Sequence, residues 1–331
     1  MKRLIFTLLV SIFASTAIAN EPNELKEFKR EITKEFAVGV NPILQIENKY
    51  GQIRTVEGAD NKITFQIEII GKGATEALAK RYAETVSIDF AQNGEKVIAT
   101  TFHESLQCSN CGRTTNYTVI VPKGVTMNLD NRYGNIYVEN ASKPLNVNLK
   151  YGNLEAGTLA NVKIDIKYGN VAIETCNDMN VDCGYAKFKI GKANLINADS
   201  KYDEFQIGTV ADLSMSTRYT KVKIDKLNNS FVCNDFKYCS LNISEISTRF
   251  SRIKINANYS NMKLALDNRH NFKATLSARY GNIKADKTTF NNVSIGKKAR
   301  NTEAISGTVG TENNPSATVD ITASYGDIVF N

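Results

Sequence analysis

The chain of 331 residues has no tryptophan, five prolines and only two histidines. The histidines, His103 and His270, are far apart, which leaves little material for a His-rich metal site or a Ser-His-Asp triad. Without tryptophan the chain also lacks the strongest sugar-stacking side chain. No internal apolar run approaches the ~18 residues of a membrane-spanning helix. Neither sign of charge dominates: 41 Lys and Arg stand against 34 Asp and Glu, a formal +7. That balance argues against nucleic acid as the partner. A hydrophobic content of 42% with 23% charged residues excludes a disordered chain.

The N-terminus has the pattern of a secretory signal. Lys2 and Arg3 supply the positive start, Leu4 to Phe13 the apolar stretch, and Ala17-Ile18-Ala19 the cleavage site. Cleavage after Ala19 is expected, with export to the periplasm, the outer cell surface or the medium. Six cysteines suit an oxidising compartment. They fall in three local pairs, Cys108/Cys111, Cys176/Cys183 and Cys233/Cys239. Six thiols allow many pairings, so a disulfide at Cys108 and Cys111 stands beside a metal or redox reading of Cys108-Ser-Asn-Cys111. The redox reading wants a helix after the first cysteine, yet the strand-like Asn116 to Val121 follows. The metal reading has three donors, His103, Cys108 and Cys111, and lacks a fourth.

What is abundant is a repeat. The motif Lys/Arg-Tyr-Gly-Asn-aliphatic occurs around Tyr50 (with Gln52 for Asn), Tyr133, Tyr151, Tyr168 and Tyr280. Looser copies centre on Tyr185, Tyr202, Tyr219, Tyr238, Phe250, Tyr259 and Tyr325. Before each tyrosine the pattern alternates, as in Val162, Ile164 and Ile166 against Lys163, Asp165 and Lys167. Period two means a strand with one buried face. After the tyrosine the phase shifts by one, to Val171 and Ile173 or Phe188 and Ile190. Glycine at the shift suits a corner because it tolerates positive φ, and the asparagine after it suits a turn. The expected fold is mainly β: a single-stranded β-solenoid (β-helix) of about 17–21-residue rungs with an N-terminal α+β cap. Because Tyr168 shares parity with Ile164 and Ile166, the tyrosines are expected to form an interior structural ladder. The alternative is a sugar-binding platform.

The organisation expected is a signal peptide at 1–19, a charged and helical segment at 20–35, a first rung and α+β cap at 36–125, and repeats over 126–331. Within the cap, Thr75 to Thr85 reads as a short helix. A motif strand at Val329 and Phe330 suggests an open C-terminal edge.

Stacked repeats turn positions into columns. The residue before the tyrosine is usually basic, and the one two earlier is often acidic, as at Glu47, Asp130, Asp165, Asp182, Asp199 and Asp235. These two columns are expected to neutralise each other. A less balanced set is Lys187, Lys189, Lys221, Lys223, Arg252, Lys254, Lys263 and Lys284, assigned to the strand after the corner as a candidate anion-binding face. No acid cluster interrupts the repeating pattern, and no catalytic residue, cofactor site or metal ligand is singled out.

The run Asn48-Lys49-Tyr50-Gly51-Gln52-Ile53, the strand–helix–strand cap, Asn116-Tyr117-Thr118-Val119-Ile120-Val121-Pro122-Lys123-Gly124 and the repeats to Tyr325-Gly326-Asp327-Ile328 together resemble a known family. It is the exported β-strand-repeat domain family labelled "putative adhesin", frequent in Bacteroidota-type envelopes. The resemblance covers residues 36–331 and implies a β-solenoid at the cell envelope, with no catalytic or binding residues to carry over. Altered corners are expected at Tyr185-Ala186, Tyr202-Asp203 and Tyr238-Cys239. The function expected is a non-catalytic adhesin-like binding module for envelope or extracellular polysaccharide, with anionic polysaccharide favoured, or for another surface protein. The alternatives are a self-assembling structural solenoid and a polysaccharide-active enzyme.

Overall fold

The computed structural model describes residues 25–59, 61–296 and 301–330. The signal sequence expected at residues 1–19 lies outside the described residues. The described chain is mainly β, with 22 strands joined in one long sheet and one α-helix.

The strands run in two rows, one before and one after each tyrosine. In the first row Leu145–Lys150 is parallel to Thr126–Arg132 on one side and to residues 162–167 on the other. In the second row Lys187 lies opposite Glu204 and Glu204 opposite Lys221, a step of seventeen residues. Long strands such as Leu154–Lys201 and Lys221–Lys237 pass through both rows. Each row buries one face: Val162, Ile164 and Ile166 before the corner, and Val171 and Ile173 after it, are at most 3% exposed. The core follows the alternation of the sequence.

The N-terminal part is laid against this array. Ile43–Lys49 sits between Thr126–Arg132 and Lys96–His103, and Ile53–Gly58 between Gly112–Pro122 and Ile136–Ala141. The helix forms at Glu76–Glu84, where the Thr75 hydroxyl accepts the N–H of Leu78 at 3.2 Å as its N-cap. Ala79, Tyr82 and Ala83 are buried against the sheet. Gly71 makes that approach possible, since a Cβ there would lie 2.0 Å from the Ala79 carbonyl oxygen.

Two expectations are corrected. The charged segment is not helical: Lys26–Ala37 is a strand antiparallel to Lys62–Gly73. Phe28, Ile32 and Phe36 have a helical spacing, but they are partly buried against the core from an edge strand. Nor does the motif strand Ile328–Phe330 form an open edge, because it lies between Asn261–Leu264 and Ile283–Lys284. In the other row Thr318–Ser324 lies between Arg252–Asn258 and Phe272–Arg279. Beyond that, Phe272–Arg279 is followed by two antiparallel strands, Thr302–Val309 and Phe290–Gly296.

Candidate functional site

The corner between the rows is built by one backbone choice. All eleven motif tyrosines have positive φ, from 51° at Tyr259 to 64° at Tyr202. This left-handed conformation costs about 1–3 kcal/mol for a residue other than glycine. It also breaks the alternation, so a side chain that parity sends inward points outward. The tyrosines are 37–53% exposed, and the expected interior ladder is therefore on the surface.

There the rings form a continuous stack. From Tyr50 the order is Tyr133, Tyr151, Tyr168, Tyr185, Tyr202, Tyr219, Tyr238, Tyr259, Tyr325 and Tyr280. Centroids are 4.6–5.3 Å apart and interplanar angles are 1–19°. The His103 ring closes one end at 5.5 Å from Tyr50. Each ring contact contributes about 0.5–1.5 kcal/mol, so two contacts per tyrosine roughly offset the backbone strain. Phe250 does not join the stack; it is 3% exposed and packs on Phe272 and His270, so that copy of the motif is not a corner.

This geometry sets the cost of a deletion. Tyr168→Ala removes two half-exposed ring contacts and keeps the strained φ, so urea unfolding should show a loss of about 1–3 kcal/mol. Tyr168→Gly should be no worse than the alanine variant, because glycine accepts the left-handed region. A glycine variant clearly less stable than alanine would contradict this account.

The glycine after the tyrosine serves a different purpose from the one expected. At Gly134, Gly152, Gly169, Gly281 and Gly326 a Cβ would lie 1.8–2.0 Å from a carbonyl oxygen of the neighbouring repeat. Glycine is required by close packing of backbone, while tyrosine carries the positive φ. The asparagines after it make a second ladder, with Asn135 Oδ1 accepting the Asn153 N–H at 2.9 Å and Asn153 Oδ1 the Asn170 N–H at 3.0 Å.

Where glycine is replaced, the corner is altered as expected. Ala186, Asp203, Thr220, Cys239 and Ser260 are buried at 1–6% exposure. Asp203 accepts the backbone N–H of Ala186 at 2.7 Å and of Lys201 at 2.6 Å, and the Cys183 thiol donates to it at 3.3 Å. Ser260 accepts the Cys239 N–H at 2.9 Å. Burial holds the Asp203 carboxyl above the usual carboxylate range.

The charged columns flank the ladder. The residue before the tyrosine is basic at Lys49, Arg132, Lys150, Lys167, Lys201, Arg218, Lys237 and Arg279. The Lys49 ammonium lies 4.6 Å from the Tyr50 centroid and that of Lys201 5.3 Å from Tyr202. Neutralisation by the acidic column is real but local. Arg132 meets Asp130 at 3.8 Å, and Asp235 takes both Arg218 and Lys237 at 2.7 Å. Lys237, then Arg218, hold the Asp235 carboxyl below its ordinary range. Lys150, Lys167 and Lys201 form no close ion pair among the described residues, although Lys150 lies near enough to Asp130 to favour its ionised form.

The lysines of the candidate anion-binding face divide. Lys187, Lys189, Lys221, Lys223, Lys263 and Lys284 lie on strands after the corner. Arg252 and Lys254 do not: their strand precedes Tyr259 and pairs with Thr318–Ser324 in the other row. The remaining set is more balanced than its sequence suggests. Glu204 lies between Lys187 and Lys221 and meets Lys221 at 3.5 Å, Lys223 meets Asp225 at 3.5 Å, and Lys284 meets Asp327 at 2.7 Å. A shallow groove runs along the ladder over Tyr185, Tyr202, Tyr219 and Tyr238, with Lys187 and Lys221 on its wall.

Cys108 and Cys111 form a disulfide, with Cα atoms 5.6 Å apart, the first of the three readings of that motif. The His103 Nε2 is engaged with the Lys49 carbonyl at 3.1 Å. Cys176, Cys183, Cys233 and Cys239 are buried free thiols, so neither of the other local pairs is a disulfide. Burial pushes Cys176 up to about 11 and Cys233 up to about 12. Native protein at neutral pH should react with thiol reagents at least ~100-fold more slowly than the guanidinium-unfolded chain, in which four thiols label. Rapid native labelling, read by mass spectrometry, would overturn this assignment.

Among the described residues no helix is long and apolar enough to cross a membrane. No family model matches the chain, and no curated protein does. Solved structures similar to it are described as adhesins or cell adhesion proteins. One, a "putative adhesin" from Parabacteroides distasonis, is 10% identical over 70% of this chain and 90% of its own, with a TM-score of 0.41. Another, a "putative adhesin" from Bacteroides fragilis, is 11% identical over 90% of this chain and 97% of its own, at 0.35. A third, a "putative cell adhesion protein" from Clostridium sporogenes, is 11% identical over 92% of this chain and 99% of its own, at 0.21. These are proteins of the kind that the sequence resemblance names.

Proposed function

We propose that the protein is a non-catalytic, adhesin-like binding module of the cell envelope or the extracellular space, and that its ligand is an anionic polysaccharide. In this reading the two strand rows coil as a β-solenoid, with residues 126–331 as the repeats and residues 36–125 as their α+β cap. The regular seventeen-residue register supports the coil. The observation that carries the binding role is the unbroken, half-exposed tyrosine ladder with cations beside it. Monomeric proteins rarely expose a contiguous aromatic surface of this extent without a partner. The Cys108–Cys111 disulfide supports an oxidising compartment.

The test uses mature protein, residues 20–331, against a panel of envelope polysaccharides and lipopolysaccharides at low and high salt, with sedimentation alongside. Salt-sensitive binding by a monomer is the expected result. No binding to any member, with particles that grow with concentration, would overturn it in favour of a structural polymer. Turnover of a glycan would overturn the non-catalytic reading.

A further inference from the structure

The ladder offers its ring edges to a ligand more than its ring faces. Parallel rings with centroids 5.0 Å apart, as at Tyr151 and Tyr168, are offset and partly cover each other's faces. A sugar ring cannot lie flat on each tyrosine in turn. What faces outward is a row of ring edges and phenol hydroxyls. Among the described residues the hydroxyls of the eleven ladder tyrosines make no hydrogen bond to protein, whereas those of Tyr82, Tyr117 and Tyr137 do.

The backbone adds a second argument. Asparagine takes the left-handed conformation with less strain than tyrosine, and this chain uses it that way at Asn292 and Asn301. At the eleven corners it uses tyrosine. Strain kept at every repeat points to a role for the side chain. The third argument is charge. Beside the middle of the hydroxyl row stand Lys150, Lys167 and Lys201, which form no close ion pair among the described residues; only Lys150 feels a nearby carboxylate, that of Asp130. The hydroxyl row repeats at the strand spacing of ~4.8 Å, a length comparable to the advance of an extended glycan per sugar, while the lysine column skips one repeat at Gly184.

We propose that the edge from Tyr133 to Tyr219 is a rail for one linear acidic polysaccharide lying along the stack, with about one sugar per repeat. The phenol hydroxyls bond the sugar oxygens, and Lys150, Lys167 and Lys201 meet the acid groups. This rests on the polysaccharide-binding reading above and fixes its site and its direction. Binding that adds one equivalent contact per repeat grows with ligand length.

The experiment is calorimetric titration of the mature chain with oligogalacturonates from dimer to dodecamer. Affinity should rise about 100-fold from the trimer to the octamer and level off beyond the length of the rail. The triple variant Tyr151→Phe, Tyr168→Phe, Tyr185→Phe keeps the rings and removes the hydroxyls. It should bind the octamer about 10-fold more weakly with its melting temperature unchanged. The triple variant Lys150→Gln, Lys167→Gln, Lys201→Gln should lose most of the salt dependence. Length-independent binding, or unchanged affinity in the phenylalanine variant, overturns the rail. If Lys187→Glu with Lys221→Glu abolishes binding while the phenylalanine variant binds normally, the glycan lies on the other flank. The rail then fails and the binding module stands. If the wild-type chain binds neither these oligomers nor any polysaccharide of the panel, both readings fall. Self-association that the phenylalanine variant abolishes would assign the edge to a second copy instead.

Discussion

Replacing Gly169 with alanine will destabilise the protein by more than ~4 kcal/mol, the range reserved for a disruption that cannot relax. The added Cβ would stand 1.8 Å from the Gly152 carbonyl oxygen and 3.2 Å from Ile166 Cδ1. That carbonyl belongs to the adjacent corner, whose own glycine lies 2.0 Å from the Gly134 oxygen by the same measure. A shift at one corner therefore strains the next, and side-chain rotation offers no escape. Gly184→Ala is the control, since its Cβ would meet only the Lys201 oxygen, at 3.6 Å. It should change stability by less than ~1 kcal/mol. Urea unfolding followed by circular dichroism decides it. If the two variants unfold alike, close backbone packing is not the reason for glycine at the corner.

Asp203→Ala will cost about 2–4 kcal/mol, because it strands the N–H groups of Ala186 and Lys201 in a buried corner. Asp203→Ser should recover part of this loss, since Ser260, three corners further along the ladder, takes the N–H of Cys239 with one hydroxyl. The same carboxyl gives a pH signature. Burial raises its pKa in the folded state, so the folded chain holds the proton in the window between the unfolded and folded values. The associated stability is full below the unfolded value of about 4 and is lost as pH rises through the folded one. Wild type measured against Asp203→Asn should accordingly lose relative stability as pH increases across that window. An opposite slope would falsify the assignment of a raised pKa to this side chain.

Most of the fold was legible because most of it follows from period two. Val162, Ile164 and Ile166 announced a buried strand face, and Thr75 announced the start of the helix. The motif around Tyr168 announced a corner and its spacing. The tyrosine's direction was not legible by that route. Alternation assumes extended backbone throughout, and one left-handed residue inverts the inference for its own side chain. A signal was present nonetheless: the apolar phase slips right after the tyrosine, which requires an irregular residue at or beside it. Glycine was the natural suspect, and the close approach of carbonyls that actually demands it is a contact between repeats. Phe250 matched the motif locally and failed because the strand after Arg249 starts a first-row segment. Arg252 and Lys254 were misplaced for the same reason. The salt bridges that balance the lysine face involve Glu204, Asp225 and Asp327, two of them from neighbouring strands, so columns counted along the chain underestimated them.

The insertion of Thr318–Ser324 between Arg252–Asn258 and Phe272–Arg279 has a consequence in time. A chain delivered N-terminus first can add each central repeat to the one made just before it, by short-range steps that proceed quickly. The two ends cannot assemble that way. Ile43–Lys49 waits for residues 96–100 and 126–132, and the strand Arg252–Asn258 waits for a neighbour sixty-six residues later. Until those segments arrive, the half-built array presents unpaired strand edges at both ends. That interval is when aggregation competes most strongly with folding, and when a holding chaperone would have the most to bind.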